Sequence, residues 1–258
     1  MASTPVRIES PFPVVEPLTL RITVGACRLR VAPGRGEAWL AGTYDEGGGA
    51  VPHTLELKEG TLRLSQRIEL SRTLDLLAGG APSFDLSLGT ARPYALELDC
   101  GAADAVVDLG GLPLTRLGVR QGAGRLRVDF STPGSASLSE IRVDAGASSI
   151  ELVRLANAGF AELRVAGGAA KLDLDFGGTL ARDGQARIEV GMAAVRLAVP
   201  GATAARIDAR SIVGALRIGD GFTKRAGTFW TEGATAGRTP VLSIRAEASV
   251  GLLELAVV

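Results

Sequence analysis

The chain has 258 residues, enough for one large domain or two small ones, and 46% of them are hydrophobic, so a substantial core is within reach. Its 28 Lys and Arg balance 28 Asp and Glu with no basic block, which argues against a nucleic-acid partner and against a protein held on an anionic membrane surface. Glycine is abundant, at 34 residues, while aromatics supply only 4%, a balance that suits tight corners lined by Val, Leu, Ile and Ala.

Residues 1–17 carry Pro5, Pro11, Pro13 and Pro17. Proline cannot donate to a strand ladder, so this stretch is expected to be an extended arm. It has no apolar run behind a basic start, as a secretory signal would. No later stretch approaches the roughly 20 apolar residues of a membrane helix. A cytoplasmic protein with no integral membrane segment is the expectation. Residues 18–93 read as irregular strands and turns. LTLRITVGACRLRVAP alternates apolar and polar positions, and a strand, a Gly-rich turn at residues 47–49 and a hairpin turning at residues 58–60 follow. IELSRTLDLL, at residues 68–77, fits a short helix or an alternating strand equally well.

From residue 94 to 219 a regular repeat takes over: an apolar-alternating strand, a short Gly/Ala knot, and a second alternating strand. The units read LELDCGAADAVVDL from Leu96, LGVRQGAGRLRVDF from Leu117, IRVDAGASSIELV from Ile141, LRVAGGAAKLDLDF from Leu163, IEVGMAAVRLAV from Ile188 and IDARSIVGALRI from Ile207. The second strands begin their buried face at Ala105, Leu126, Ile150, Leu172, Val195 and Leu216, spaced roughly 21–24 residues apart, a period typical of stacked arrays. In RLRVDF, Leu126, Val128 and Phe130 point one way and Arg125, Arg127 and Asp129 the other. The predicted fold is all-β: a mostly parallel β-solenoid, β-helix-like, with coils of roughly 21–24 residues stacked in sequence order as a single domain over residues 18–258. Alignment on the knots gives one outward column, Val106, Arg127, Glu151, Asp173, Arg196 and Arg217. It reads as a solvated face, with Glu151 over Asp173 and Arg196 over Arg217 as like-charge neighbours, the first relieved by Lys171.

Residues 220–258 form a Gly/aromatic excursion and a closing coil. The excursion, GDGFTKRAGTFWTEGATAGRT, holds Phe222, Phe229 and Trp230, which either cover the last coil or offer an aromatic patch to a partner. These three are the candidate interaction residues. LSIRAEASVGLLELAV then returns to the strand–knot–strand pattern, and LLELAVV reads as an unblunted strand edge at the end of the stack; the alternative reading of a self-assembling solenoid would use this edge, and Leu255→Lys or Val257→Asp would then break the assembly.

Little in the chain points to catalysis. Cys27 and Cys100 each sit beside a knot and are too few for a disulfide framework or a zinc site. His53, the single histidine, follows Pro52 at the start of a strand with no nucleophile motif nearby. Asp173 and Asp175 lie on one strand face about 7 Å apart, with Lys171, Glu151 and Arg196 expected near, the arrangement a polysaccharide-active solenoid enzyme would use. No aromatic ladder for sugar stacking accompanies them. The Gly-rich segments lack any phosphate-loop or dinucleotide context, and no cofactor or metal is expected.

The segment RPYALELDCGAADAVVDLGGLPLTRLGVRQGAGRLRVDFSTPG followed by IRVDAGASSIELV, with the GAG and GAS knots and the closing GFTKRAGTFW and LSIRAEASVGLLEL, resembles the bacterial toast-rack β-solenoid domains. These are related to the C-terminal domains of LiaF-like cell-envelope stress proteins and to the putative-adhesin solenoids. The resemblance spans roughly residues 18–258 and rests on structural motifs. It implies a non-catalytic scaffold or protein-interaction domain linked to bacterial envelope stress signalling, and it carries over no catalytic residues. Family members often have membrane helices beside the solenoid, a feature with no counterpart in this sequence. Self-assembly into a bactofilin-like polymer is the main alternative, and a polysaccharide-active enzyme the third. The partner is therefore another protein or a second copy of the chain.

Overall fold

The computed structural model describes residues 5–47, 52–66 and 81–258. In it the knot of each regular repeat bends a strand without interrupting it. Seven short strands come first: β1 (Val6–Pro11), β2 (Thr19–Val24), β3 (Arg28–Pro33), β4 (Ala38–Asp45), β5 (His53–Lys58), β6 (Thr61–Gln66) and β7 (Ser83–Leu88). Six long ones follow: β8 (Tyr94–Asp108), β9 (Leu114–Asp129), β10 (Glu140–Val153), β11 (Glu162–Asp175), β12 (Gly184–Val199) and β13 (Ala204–Ile218). The excursion contributes β14 (Thr223–Arg225), β15 (Thr228–Trp230) and a one-turn helix, α1 (Glu232–Thr235), before the last long strand, β16 (Val241–Val257). Most of the Gly-rich turn at residues 47–49, and all of residues 68–77, lie outside the described residues.

Each long strand has two halves, and the knot reverses which side faces inward. In β11, Leu163 and Val165 are buried before the knot and Leu172 and Leu174 after it, so the inward positions change from odd to even. A strand of unbroken period two cannot do this; small residues at the bend absorb the phase change. They also let neighbouring bends approach closely. Gly251 has φ 129°, and a Cβ there would lie 2.0 Å from the carbonyl oxygen of Ala193 in the adjacent strand. Only glycine is comfortable there.

Parallel pairing stacks equivalent side chains into rows. One inward row runs Leu20, Leu96, Leu117, Ile141, Leu163, Ala186, Ile244 and Ile207, all buried. On the second half, Leu29, Ala105, Leu126, Ile150, Leu172 and Val195 form the matching row. Both rows belong to one core cluster. Fully burying each Leu, Ile or Val of these rows contributes roughly 1.5–3 kcal/mol, which is how an array with few large rings is held together. The return connections close the third side of the core with Leu112, Phe130, Leu155, Phe160 and Phe176. Buried Asn157 ties three of these connections together: its Nδ2 donates to the Phe130 carbonyl at 2.8 Å and its Oδ1 accepts from the Thr179 N–H at 2.8 Å.

Three expectations change. First, the stack does not follow sequence order. β8, β9, β10, β11 and β12 are successive neighbours, but β16 then inserts between β12 and β13. LLELAVV is thus an interior strand, with Leu255 paired to Leu197 on one side and Ile218 on the other and fully buried. It is not a free edge. Second, the insertion rewrites the outward column. Glu254 separates Arg196 from Arg217, so these two are not like-charge neighbours. Glu151 and Asp173 do lie side by side, but each takes an arginine: Arg127 hydrogen-bonds Glu151, and Arg196 reaches Asp173 at 3.2 Å. Third, residues 6–11 of the proline-rich start form β1, antiparallel to β4. Pro11 ends that strand at the sheet margin, where a missing N–H costs no ladder bond.

The first end of the stack, called the head here, is closed on both halves by antiparallel strands. β8 pairs through its first half with β2, which leads to β6 and antiparallel β5. Its second half pairs with β3, leading to β7, antiparallel β4 and β1. The hairpin joining β5 and β6 turns at Glu59 and Gly60, both at positive φ.

Two outcomes follow for unfolding in denaturant. Leu255→Lys places an ammonium in the core and is expected to cost roughly 4 kcal/mol or more, instead of releasing an assembly. Gly251→Ala is expected to cost roughly 2 kcal/mol or more, whereas Gly168→Ala, where nothing lies within 4 Å of the added Cβ, should stay within about 0.5 kcal/mol of the parent.

Candidate interaction site

Asp173, Asp175 and His53 are each engaged in structural contacts. Asp173 holds Arg196. Asp175, two residues on, accepts from the Gly177 N–H at 2.8 Å and the Arg154 N–H at 3.3 Å, so it caps a turn. Lys171 lies beside Ser149 and Ala194 in the neighbouring row. His53 begins β5 and sits edge-on to Tyr44, with ring centroids 4.7 Å apart. Burial against these rings lowers its pKa, which nearby Glu46 partly offsets. Cys27 and Cys100 are buried at two adjoining knots, between β2 and β3 and within β8, as free thiols. Loss of solvation there pushes both up to about 12, with a smaller contribution from Cys100 to Cys27 and from Asp99 to Cys100. Among the described residues no group of three or more His, Cys, Asp or Glu could hold a metal ion.

The outward faces are networks of paired charge. On the first half, Arg142, Arg164, Arg187 and Arg245 follow one another across four successive strands. Acids flank them: Arg142 meets Asp144 at 3.1 Å, Arg164 meets Glu162 at 2.7 Å and Arg187 meets Glu189 at 2.6 Å. The hydrogen bond from Arg164 holds Glu162 below the usual carboxylate range. Such exposed pairs add little stability, but they keep the face hydrated and leave no concentrated field of one sign.

The far end, the tail, is different. There β13 is the outermost long strand, and its two halves end differently. The first half is covered: β15 pairs antiparallel with it at Arg206 and Ile207, and β14 pairs with β15. Phe229 points into the core at 7% exposure, and Phe222 packs partly against it. Trp230 is half-buried between two guanidinium groups, Arg206 at 4.5 Å and Arg225 at 5.2 Å from its ring. Thr231 caps α1 and fixes the hairpin to the strand: its Oγ1 accepts from the Ala205 N–H at 2.9 Å and donates to the Thr203 carbonyl at 2.6 Å. Of the three aromatic candidates, then, Phe229 serves the core, while Trp230 and part of Phe222 reach the surface.

The second half of β13 is left open. Among the described residues no strand pairs with the outer edge of residues 211–218. The inward rows that end there are unfinished: Leu216 and Ile218 follow the buried Leu253 and Leu255, yet are 38% and 37% exposed. At the bend beside them Ile212 and Val213 are 66% and 62% exposed. Sequence reading placed Leu216 in the correct row and took it for an interior anchor. The displaced order of β13 and β16 turns it into an end.

Burial of both thiols has a direct check. Ellman's reagent at pH 8 should find no reactive thiol in the native protein and both in denaturant; rapid native reaction would mean that the knots at Cys27 and Cys100 open readily.

Against this geometry, comparison with known proteins is informative about family. Residues 7–153, more than half of the chain, match the family model described as "N-terminal domain of toast_rack, DUF2154". No curated protein matches. Among solved structures the chain is similar to a "putative cell adhesion protein from Clostridium sporogenes ATCC 15579", at 18% identity over 98% of this chain and 99% of that one, with a TM-score of 0.48. No helix among the described residues is long and apolar enough to cross a membrane. The row of long parallel strands bent at small-residue knots and the family match agree, and the chain belongs to the toast-rack family.

Proposed function

We propose that this chain is a non-catalytic scaffold, a solenoid-type rack that binds polypeptide at its tail. The observation that carries this reading is the open half of β13. Unpaired strand edges recruit further strands, and this one adds an apolar step formed by Leu216 and Ile218. The Trp230 clamp on the covered half stands next along the same strand and would supply a polar-aromatic margin to a docked chain. The engagement of Asp173, Asp175 and His53 in structural contacts supports a role without catalysis. A bactofilin-like polymer has less support: head-to-tail growth would need the β1 edge, which carries an exposed Arg7–Glu9 pair and ends in Pro11. Envelope stress signalling in bacteria is the setting that the likeness to LiaF-like domains implies.

Position-specific photocrosslinking in the producing cells tests the reading. A photoreactive residue at Val213 should yield a polypeptide adduct, one at Glu56 on the head should not, and Asp173→Asn should leave the adduct unchanged. Equal labelling from both ends, or none from Val213, would contradict it.

A further inference from the structure

We infer that the open half of β13 pairs antiparallel with the same segment of a second copy, joining two racks tail to tail across a two-fold axis. This deepens the reading of the tail as an interaction surface and rests on it. Three observations carry the choice of occupant.

The first is how this fold finishes a sheet. Among the described residues, the two half-sheets at the head and the first half at the tail all finish in antiparallel strands, β5, β1 and β14. The second half at the tail alone has none. An antiparallel strand added there completes the pattern, and a two-fold axis supplies it from an identical chain.

The second is self-complementarity. Opposite residues of an antiparallel pair lie on the same side of a sheet. Beyond the bend, Leu216 and Ile218 face inward and Ala215 and Arg217 outward, as their partners Leu253, Leu255, Leu252 and Glu254 do in β16. A pairing centred on Leu216 keeps these sides matched. It sets Leu216 against Leu216 of the other copy and Ile218 against Gly214, a bulky residue opposite one with no side chain. On the outer side it sets Arg217 against Ala215. The core row that stops at Leu216 then continues into the other rack, while Ile218 is covered where it meets the bend at Gly214 of the other copy.

The third is charge. Arg217 is the sole charged residue in the segment SIVGALRI, and in this register it faces no like charge. The other outermost strands carry charges along their edges: Arg7 and Glu9 on β1, Glu56 and Lys58 on β5, Lys224 and Arg225 on β14. Such residues discourage strand addition. The pairing therefore closes at two copies and does not grow into a filament.

Ala215 gives a register-specific test, because it is exposed and its replacement should leave the fold intact. Sedimentation equilibrium of the full chain should show a reversible monomer–dimer system. Ala215→Glu creates two symmetry-related pairs with Arg217 of the other copy and should lower the dissociation constant by roughly 3- to 10-fold. Ala215→Lys sets like charges opposite each other and should raise it by a similar factor or more. Unfolding midpoints, read in parallel in dilute protein, should be alike for both variants and the parent. A monomer at all concentrations overturns the proposal, as does open-ended growth. A dimer weakened equally by Ala215→Glu and Ala215→Lys overturns the register. If the parent is monomeric while Val213 crosslinks to a different polypeptide, self-pairing fails and the scaffold reading stands.

Discussion

A stack of parallel strands satisfies its backbone and buries its inward rows everywhere except at its two ends. The architecture of this chain follows from that constraint. The interior coils are nearly interchangeable, since each supplies a Leu, Ile, Val or Ala to the same rows and a small-residue bend to the same corner. The ends cannot be built that way. The head is terminated by irregular antiparallel strands that turn the ladder back on itself. The tail is terminated on one half by the aromatic hairpin, which brings Phe229 into the core, and among the described residues nothing terminates the other half.

The interior was largely legible in the sequence. Period-two alternation with a knot every 21–24 residues placed Ala105, Leu126, Ile150, Leu172 and Val195 in one row, as found. The hairpin at Glu59 and Gly60 was legible because its turn chemistry is local. The insertion of β16 was not, because GLLELAV and GALRI fit either neighbouring slot equally well: both follow a glycine bend and both alternate. One signal did distinguish them. The sequence-order alignment left Arg196 directly over Arg217, a pair that costs energy, and the chain held one further strand with an acid at that register. Placing Glu254 between them removes the clash. The prolines of the first segment concealed β1 for a related reason. They forbid an interior strand and permit an edge strand, and sequence alone does not say which strands are edges.

The candidate site was legible only in part. The aromatic excursion drew attention because rings are scarce here, yet its main physical task is to close half of an end. The more informative surface beside it, at Ile212, Val213, Leu216 and Ile218, reads in sequence as an ordinary core strand. Its character depends on having no neighbour, which is a property of strand order and not of composition. That also separates the tail from the broad charged faces, where Arg142, Arg164 and Arg187 are already paired with acids on their own strands.

The central claim is that the second half of β13 is the unfinished end of the sheet, while β16 lies inside it. Amide hydrogen exchange followed across a dilution series tests this most directly. The account predicts that the amides of Gly214, Leu216 and Ile218, which face the open edge, gain protection as protein concentration rises, while those of Leu253 and Leu255 remain slow throughout. Slow exchange at Gly214, Leu216 and Ile218 regardless of concentration, or exchange at Leu253 and Leu255 as fast as theirs, would contradict it.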